Sequence, residues 1–127
     1  MHPAAERFLA LNAIGTLSTP RLDGSPHVTP VRFTWDGQAR LARVMTVGTR
    51  RKARKVAENP RAWVSLCQLV GYRWLTLEGP ATVSDDLGRV AEGIRRYRER
   101  YGSSPPDLPG LVVIEIAAER VMGQYAP

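Results

Sequence analysis

Two Asp-Gly pairs, at 23–24 and 36–37, cut the first part of the chain into short pieces that must lie side by side. Glycine after aspartate supplies the positive φ of a tight turn, and a tight turn between alternating apolar segments closes an antiparallel hairpin. The flanking segments, AIGTLST (13–19), HVTPVRFTW (27–35) and ARLARVMTV (39–47), read as three strands of a meander. Pro30 inside the second implies an edge, a bulge or a donor the ladder does not need. An apolar spacing of Ala4, Phe8 and Leu11 places a short helix before them.

Beyond Gly48 the pattern changes. TRRKARKVAENP (49–60) reads as a short helix, with Thr49 as its cap, Ala53, Val56 and Ala57 as its apolar side, and Asn59-Pro60 as its stop. RAWVSLCQ (61–68) and RWLTLEGPATVS (73–84) are the fourth and fifth strands, with Gly79-Pro80 marking a bulge or edge turn. A second long helix, 86–102, begins at Asp85-Asp86 and ends at Gly102. SSPPDLPG (103–110) is a proline-rich loop, and LVVIEIAAERVMG (111–123) a last strand whose LVVI run implies burial on both faces. There is no βαβ rhythm, no repeat and no internal boundary. The expectation is one domain over residues 1–127: mainly β, a small antiparallel barrel of six or more strands with short flanking helices.

The composition narrows the partners. With 127 residues, a large ligand would have to share a wall with a second subunit. No apolar run approaches the roughly 20 residues needed to cross a bilayer, and Glu6 and Arg7 interrupt any signal-peptide core. The single cysteine, Cys67, excludes an intramolecular disulfide and is read as an inert buried thiol, so a reducing cytoplasm is expected. A formal charge of +6 and a pI near 10.2 favour an anionic partner: nucleic acid, a membrane surface or a phosphorylated cofactor.

The cations concentrate in VGTRRKARKV (47–56), where five of the six residues from Arg50 to Lys55 are basic. An isolated run of this kind is usually a solvated helix face. Here it follows a strand and opens a helix, where unpaired N–H groups and a partial positive charge suit an anion. Thr49, Arg50, Arg51 and Lys52 would ring it. The second basic segment, RRYRERY (95–101), scatters its arginines around a helix and reads mainly as a solvated face, with Tyr97 and Tyr101 turned inward together. His2 and His27 with one cysteine show no metal-ligand spacing. Trp35, Trp63 and Trp74 read as core or interface residues. No G-x-S-x-G, Walker or dinucleotide motif occurs, and no nucleophile stands beside a base, so no catalytic side chain is assigned. If the chain is an enzyme, its chemistry belongs to a cofactor.

The segments GTLSTPRLDGSPHVTPVRFTWDG, ARVMTVGTRRKARKVAENPRAWVSL and RWLTLEGPATV resemble the split β-barrel flavin and deazaflavin oxidoreductases, relatives of pyridoxamine 5′-phosphate oxidase. The hairpin D-G-S-P-H-V-T-P-V followed by T-x-G-x-x-x-K-A is similar to the branch that uses coenzyme F420. RVMTVG, Lys52-Ala53, RWLTLEG and VVIEIAAERVMG look like its F420-dependent biliverdin reductase type. The resemblance runs from about Ile14 to Gly123. It implies an FMN-binding-type split barrel, a homodimer with cofactor at the subunit interface, a small-molecule substrate, and no nucleic-acid or membrane partner. It implies cofactor contacts from His27, Val28, Thr29 and Pro30, and from Met45, Thr46, Gly48 and Thr49. Phosphate contacts would come from Arg51 and Lys52, and further contacts from Gln68 and Arg73. Arg50, Arg54 and Lys55 would form a rim for the polyglutamate tail. The implied reaction is hydride transfer from reduced F420 to a conjugated acceptor such as biliverdin. An FMN-dependent enzyme of the same fold, and a binder that sequesters F420 or haem without turnover, are the alternatives.

Overall fold

A computed structural model describes residues 1–60 and 62–126; Arg61, at the start of the predicted fourth strand, lies outside the described residues. The elements run α1 (Pro3–Leu9), β1 (Gly15–Pro20), β2 (Pro26–Val31), β3 (Thr34–Asp36), β4 (Leu41–Val47), α2 (Arg51–Glu58), β5 (Trp63–Val70), β6 (Arg73–Ser84), α3 (Leu87–Tyr101), β7 (Leu111–Ala117) and β8 (Arg120–Gln124). Every pairing is antiparallel, and the strand order is β2-β1-β5-β6-β7-β4-β3 with β8 added to β6. This is the expected mainly β split barrel with flanking helices.

The 12-residue β6 belongs to both halves of the sheet. Its first part, from Arg73, lies between β5 and β8, and its last part, Ala81 to Ser84, pairs with β7. Gly79-Pro80 is where it passes from one half to the other. The pair is therefore neither a bulge nor an edge turn, as its residue types suggested, but the corner of a continuous strand. Glycine is required there because a Cβ at position 79 would overlap the Ala117 carbonyl.

Two other predicted strands are each divided in two for the same reason of closure. HVTPVRFTW breaks at Arg32-Phe33, so that β2 pairs with β1 while β3 pairs with β4. Tyr101 secures the break: its hydroxyl accepts from Phe33 N at 3.0 Å and donates to Phe33 O at 2.7 Å. LVVIEIAAERVMG breaks at Ala118-Glu119, where Ala118 N donates to Arg40 O and Glu119 N to Glu78 O. Local alternation could not register these breaks, because strand propensity is continuous across them.

The interior is filled by Phe8 and Leu9 from α1, Leu17, Phe33, Leu66, Leu75, Leu77, Ile114 and Ile116, all essentially inaccessible. Full burial of each such side chain is worth roughly 1.5–3 kcal/mol. The LVVI run is buried as expected, apart from half-exposed Leu111. His2 caps α1, with Nδ1 accepting from Ala4 N at 3.0 Å. Asp86 caps α3 through Arg89 N, and Gly102 closes it at φ 73°.

Helix α3 is fixed to β3, β4 and β7 by buried charge. Arg43 donates to Asp36 at 3.0 Å and lies 3.7 Å from Glu115; Arg96 reaches Asp36 at 3.1 Å and Arg89 reaches Glu115 at 2.6 Å. Burial alone would raise the Asp36 carboxyl, but the Ala39 N–H, Arg43 and Arg96 outweigh it and hold it below the usual carboxylate range. Arg100 is not the solvated residue its segment suggested. It donates to Leu9 O, Leu11 O and Ala13 O, and so ties α3 to the end of α1.

Replacing Arg43 by Met leaves two buried carboxylates with one cation fewer. It should cost about 3 kcal/mol, the low end for breaking a buried pair because Arg89 and Arg96 remain, read as a lower urea midpoint at unchanged slope. Because the folded Asp36 carboxyl titrates below its unfolded value, its contribution is present above the ordinary carboxylate pKa. It should be lost as pH falls through the lower, folded-state value, and an Asp36→Asn protein should lack that acid limb.

Candidate functional site

Strand β4 ends at Val47, and Gly48 N donates to Gly110 O at 2.9 Å, tying the strand end to the end of the proline-rich loop. The chain then enters α2. Its N-cap is Arg50, not Thr49: Arg50 has extended dihedrals, no side chain caps the helix, and no acidic residue occupies its first turn. Thr49 is exposed and caps nothing. Among the described residues, the first N–H groups of α2 thus have no acidic side chain of the chain's own.

Helical geometry divides those cations. Arg51, Arg54 and Lys55 share one face, at spacings of three and four, and with Arg21 from the β1–β2 turn they line a hollow of about 230 Å³. Lys55 holds Glu58 at 3.3 Å. Among the described residues the other three have no carboxylate within ion-pair distance. Lys52 turns the other way, into two adjoining hollows of about 200 and 170 Å³ that share Met45, Lys52, Pro105 and Pro106. Burial, and then Arg50, lowers the Lys52 ammonium below its ordinary range, and it too lacks a carboxylate among the described residues.

His27, on β2, feels the charges of cations from both regions. Its Nδ1 is buried without a hydrogen-bond partner. Burial first, then Arg21, Arg51, Lys52 and Lys55, push its pKa below the ordinary imidazole value.

The structure therefore brings Pro30, Met45, Thr46 and Lys52 to the adjoining hollows, sets Arg51 in the separate hollow with Arg21, and leaves His27 within the electrostatic reach of Arg51 and Lys52. Val28 is exposed on edge strand β2, and Thr29 is half-buried on the same strand. Gln68 and Arg73 lie elsewhere. Gln68 is buried, its Nε2 donating to Phe8 O at 2.7 Å and its Oε1 accepting from Arg100 at 3.2 Å. Arg73 lies over the Phe8 ring at 5.3 Å.

Several lining residues carried no local signal. Arg21 lies about thirty positions before its basic neighbours and reaches them only through the packing of α2 on β1. Pro105, Pro106 and Leu108 read as an ordinary loop, although binding residues concentrate on loops held by a rigid sheet. Arg32 and Tyr97 also line the groove, joined by a 2.9 Å hydrogen bond from the guanidinium to the phenol oxygen. A separate hollow of about 370 Å³ between α1, β3 and α3 has mostly engaged polar walls. There Glu6 accepts from Trp35 Nε1, and Arg96 is paired with Asp36 and Glu92.

The model of the pyridoxamine 5′-phosphate oxidase family matches residues 1–125. The chain belongs to that family. Its relatives include the F420H(2)-dependent biliverdin reductase of Mycobacterium tuberculosis, 42% identical over 116 residues, which cover 91% of this chain and 82% of the relative. A solved F420 reductase is similar at 26% identity and a TM-score of 0.74, covering 92% of this chain and 94% of that one. A conserved hypothetical protein of M. tuberculosis shares the fold, with a TM-score of 0.82 at 22% identity over 98% of this chain and 85% of its own.

The placement of Gln68 leads to a prediction. Gln68→Ala should destabilise the protein by about 1–3 kcal/mol, because Phe8 O and Arg100 lose a buried partner. In chemical denaturation this should appear as a lower midpoint, while anion affinity at the Arg21–Arg51–Arg54 hollow stays within about twofold of wild type.

Proposed function

We propose that this protein is an F420-dependent reductase that delivers a hydride to a conjugated small molecule, with biliverdin the leading acceptor. One observation carries the reading: among the described residues only Lys55 of the four cations lining one hollow meets a carboxylate, and a groove walled by Met45, Pro105 and Pro106 begins at the next helical position, Lys52, in a chain 42% identical to an F420H(2)-dependent biliverdin reductase. F420 joins a flat ring to a phosphate and an anionic tail, and the residues present fit both ends.

Arg21, Arg51, Arg54 and Lys55 would hold the anionic part, assisted by the uncapped start of α2. Lys52 would stand at the junction, its half-buried charge worth more to an anion than an exposed lysine's. Pro30, Met45, Pro105 and Pro106 would bound the ring and limit water. When bound in its reduced form, the deazaflavin supplies the hydride; the protein supplies proximity and a dry, oriented site. Arg21 joins Arg51, Arg54 and Lys55 around one hollow rather than extending their row along the helix, which favours a compact anion over a nucleic-acid backbone.

The same reading includes a homodimer. Strand register places Pro30, Thr16, Cys67, Thr76 and Met122 in one row across a sheet face, beside Val28, Leu69 and Trp74. Val28 and Leu69 are 56% and 63% exposed, and Tyr72 at the β5–β6 turn is 98% exposed. Cys67 is half-buried on this face rather than sequestered in the core. A second copy covering the face would bring Arg73 against a neighbouring groove, with Gln68 bracing it from beneath through Phe8. The lone cysteine suits a reducing cytoplasm. Among the described residues, no helix is long and apolar enough to cross a membrane.

The test is a fluorescence titration with F420 and, separately, with FMN. Tight F420 binding with weak FMN binding is expected, and Lys52→Ala should weaken F420 at least tenfold, about 1.4 kcal/mol, at unchanged thermal stability. Preference for FMN would move the protein to the flavin enzymes of the fold. An unchanged F420 affinity in the variant would remove Lys52 from the site.

A further inference from the structure

Burial first, and then the charges of Arg21, Arg51, Lys52 and Lys55, disfavour a proton on the His27 imidazole, which neighbours the hollow of Arg21, Arg51, Arg54 and Lys55. His27 faces Arg21 from the β1–β2 turn and Arg51, Lys52 and Lys55 from α2. Across the β1–β2 ladder its partner is Thr19, a neutral residue whose hydroxyl lies 3.5 Å from His27 O. Among the described residues the charged groups that act most on the ring are all cations, and its Nδ1 is buried and unpartnered. An empty hollow is therefore a cluster of like charges around a ring that is better neutral. An anion in the hollow reverses the local sign and makes the imidazolium favourable.

We propose that the hollow takes up its anion together with a proton, and that His27 is where the proton resides. The ligand class is a multiply charged anion, either a phosphate ester or a run of carboxylates. The proposal rests on reading this hollow as the anionic end of the cofactor site, and adds to it a proton-linked ligand and a dependence on pH.

The direction follows from linkage. In the free protein, burial and the four cations hold the His27 pKa below its ordinary value. A bound anion removes much of the repulsion and raises it. Between the two values each binding event takes up part of a proton, so affinity rises as pH falls through that window. It levels off below the free-state value and above the bound-state value. By reciprocity, the factor by which the anion strengthens proton binding equals the factor by which the proton strengthens anion binding.

The experiment is isothermal titration calorimetry of the full chain at about pH 6.5, near the ordinary imidazole value, in two buffers of different ionisation enthalpy. Sulfate, which carries no titrating proton in this range, and F420 are the two probes; each is titrated into wild type and His27→Gln. For wild type the heat should differ between buffers by an amount equivalent to uptake of a substantial fraction of a proton. In His27→Gln that difference should vanish for sulfate, and fall to the cofactor's own contribution for F420, while both still bind through Arg21, Arg51 and Arg54. Affinity of wild type should rise about threefold to tenfold from pH 8 to pH 6, and that of the variant should stay flat for sulfate. An NMR titration of the His27 ring in wild type, with and without sulfate, gives the same answer without a variant: its midpoint should move up when sulfate is present.

Equal proton uptake in wild type and variant, or an imidazole midpoint unmoved by sulfate, would overturn the proposal. F420 binding without a His27-dependent proton would leave the cofactor reading standing and this one refuted. Sulfate binding with the proton but no F420 binding would do the reverse, and binding of neither would refute both.

Discussion

Strand β6 has to supply hydrogen bonds to both halves of the sheet, and the rest of the molecule is arranged around that requirement. A strand can pass between two half-sheets only where its backbone bends against a neighbour without a side chain in the way. Gly79 meets that condition beneath the Ala117 carbonyl, and Pro80 follows it without an N–H to satisfy. Once β6 turns this corner, β7 and β4 lie on its far part and β5, β1 and β2 beside its near part. The ends of β2 and β4 then approach the start of α2, and the two walls of the candidate site meet. The same closure forces the breaks at Arg32-Phe33 and Ala118-Glu119.

Charge is handled in two contrasting ways within this frame. Around α3 the carboxylates Asp36 and Glu115 are met by Arg43, Arg96 and the more exposed Arg89, a network that orients the helix. Around α2 the cations Arg21, Arg51, Lys52 and Arg54 are left without carboxylates among the described residues, and the helix starts without an acidic cap. Repulsion of that kind costs stability, and a fold retains it where a ligand removes it. The contrast is the reason the run at 50–55, and not that at 95–101, is proposed as the binding element. The run at 95–101 has as many arginines per residue, yet Arg96 and Arg100 are committed to internal contacts.

Much of this was legible in the residues. The Asp-Gly turns, the alternation of 13–19 and 39–47 and the break in pattern at Gly48 lead to a meander followed by a basic helix, and the barrel class follows from the absence of a βαβ rhythm. Thr49 misled because capping preference is a side-chain average, and here Arg50 takes the cap position with extended dihedrals. The adjacency of Arg51 and Lys52 suggested one shared target, whereas roughly 100° of helical rotation sends them into different hollows. Arg21, Tyr97 and the Pro105-Pro106 wall were invisible because only long-range pairing brings them to the groove. Gln68 could not be told from a surface-facing ligand by strand alternation, since period two gives the face and not the partner. Family resemblance supplied what local pattern could not: the kind of cofactor that such a hollow and groove would receive.

The central claim is that this fold, with its cation hollow and apolar groove, positions reduced F420 to pass a hydride to a conjugated acceptor. The most direct measurement is an anaerobic single turnover with F420 reduced with deuterium at C5, biliverdin as acceptor, and mass analysis of the product. The account predicts that the product gains one deuterium from the cofactor and one proton from solvent. Product formed without the label, or no turnover with F420 but turnover with reduced FMN, would contradict it.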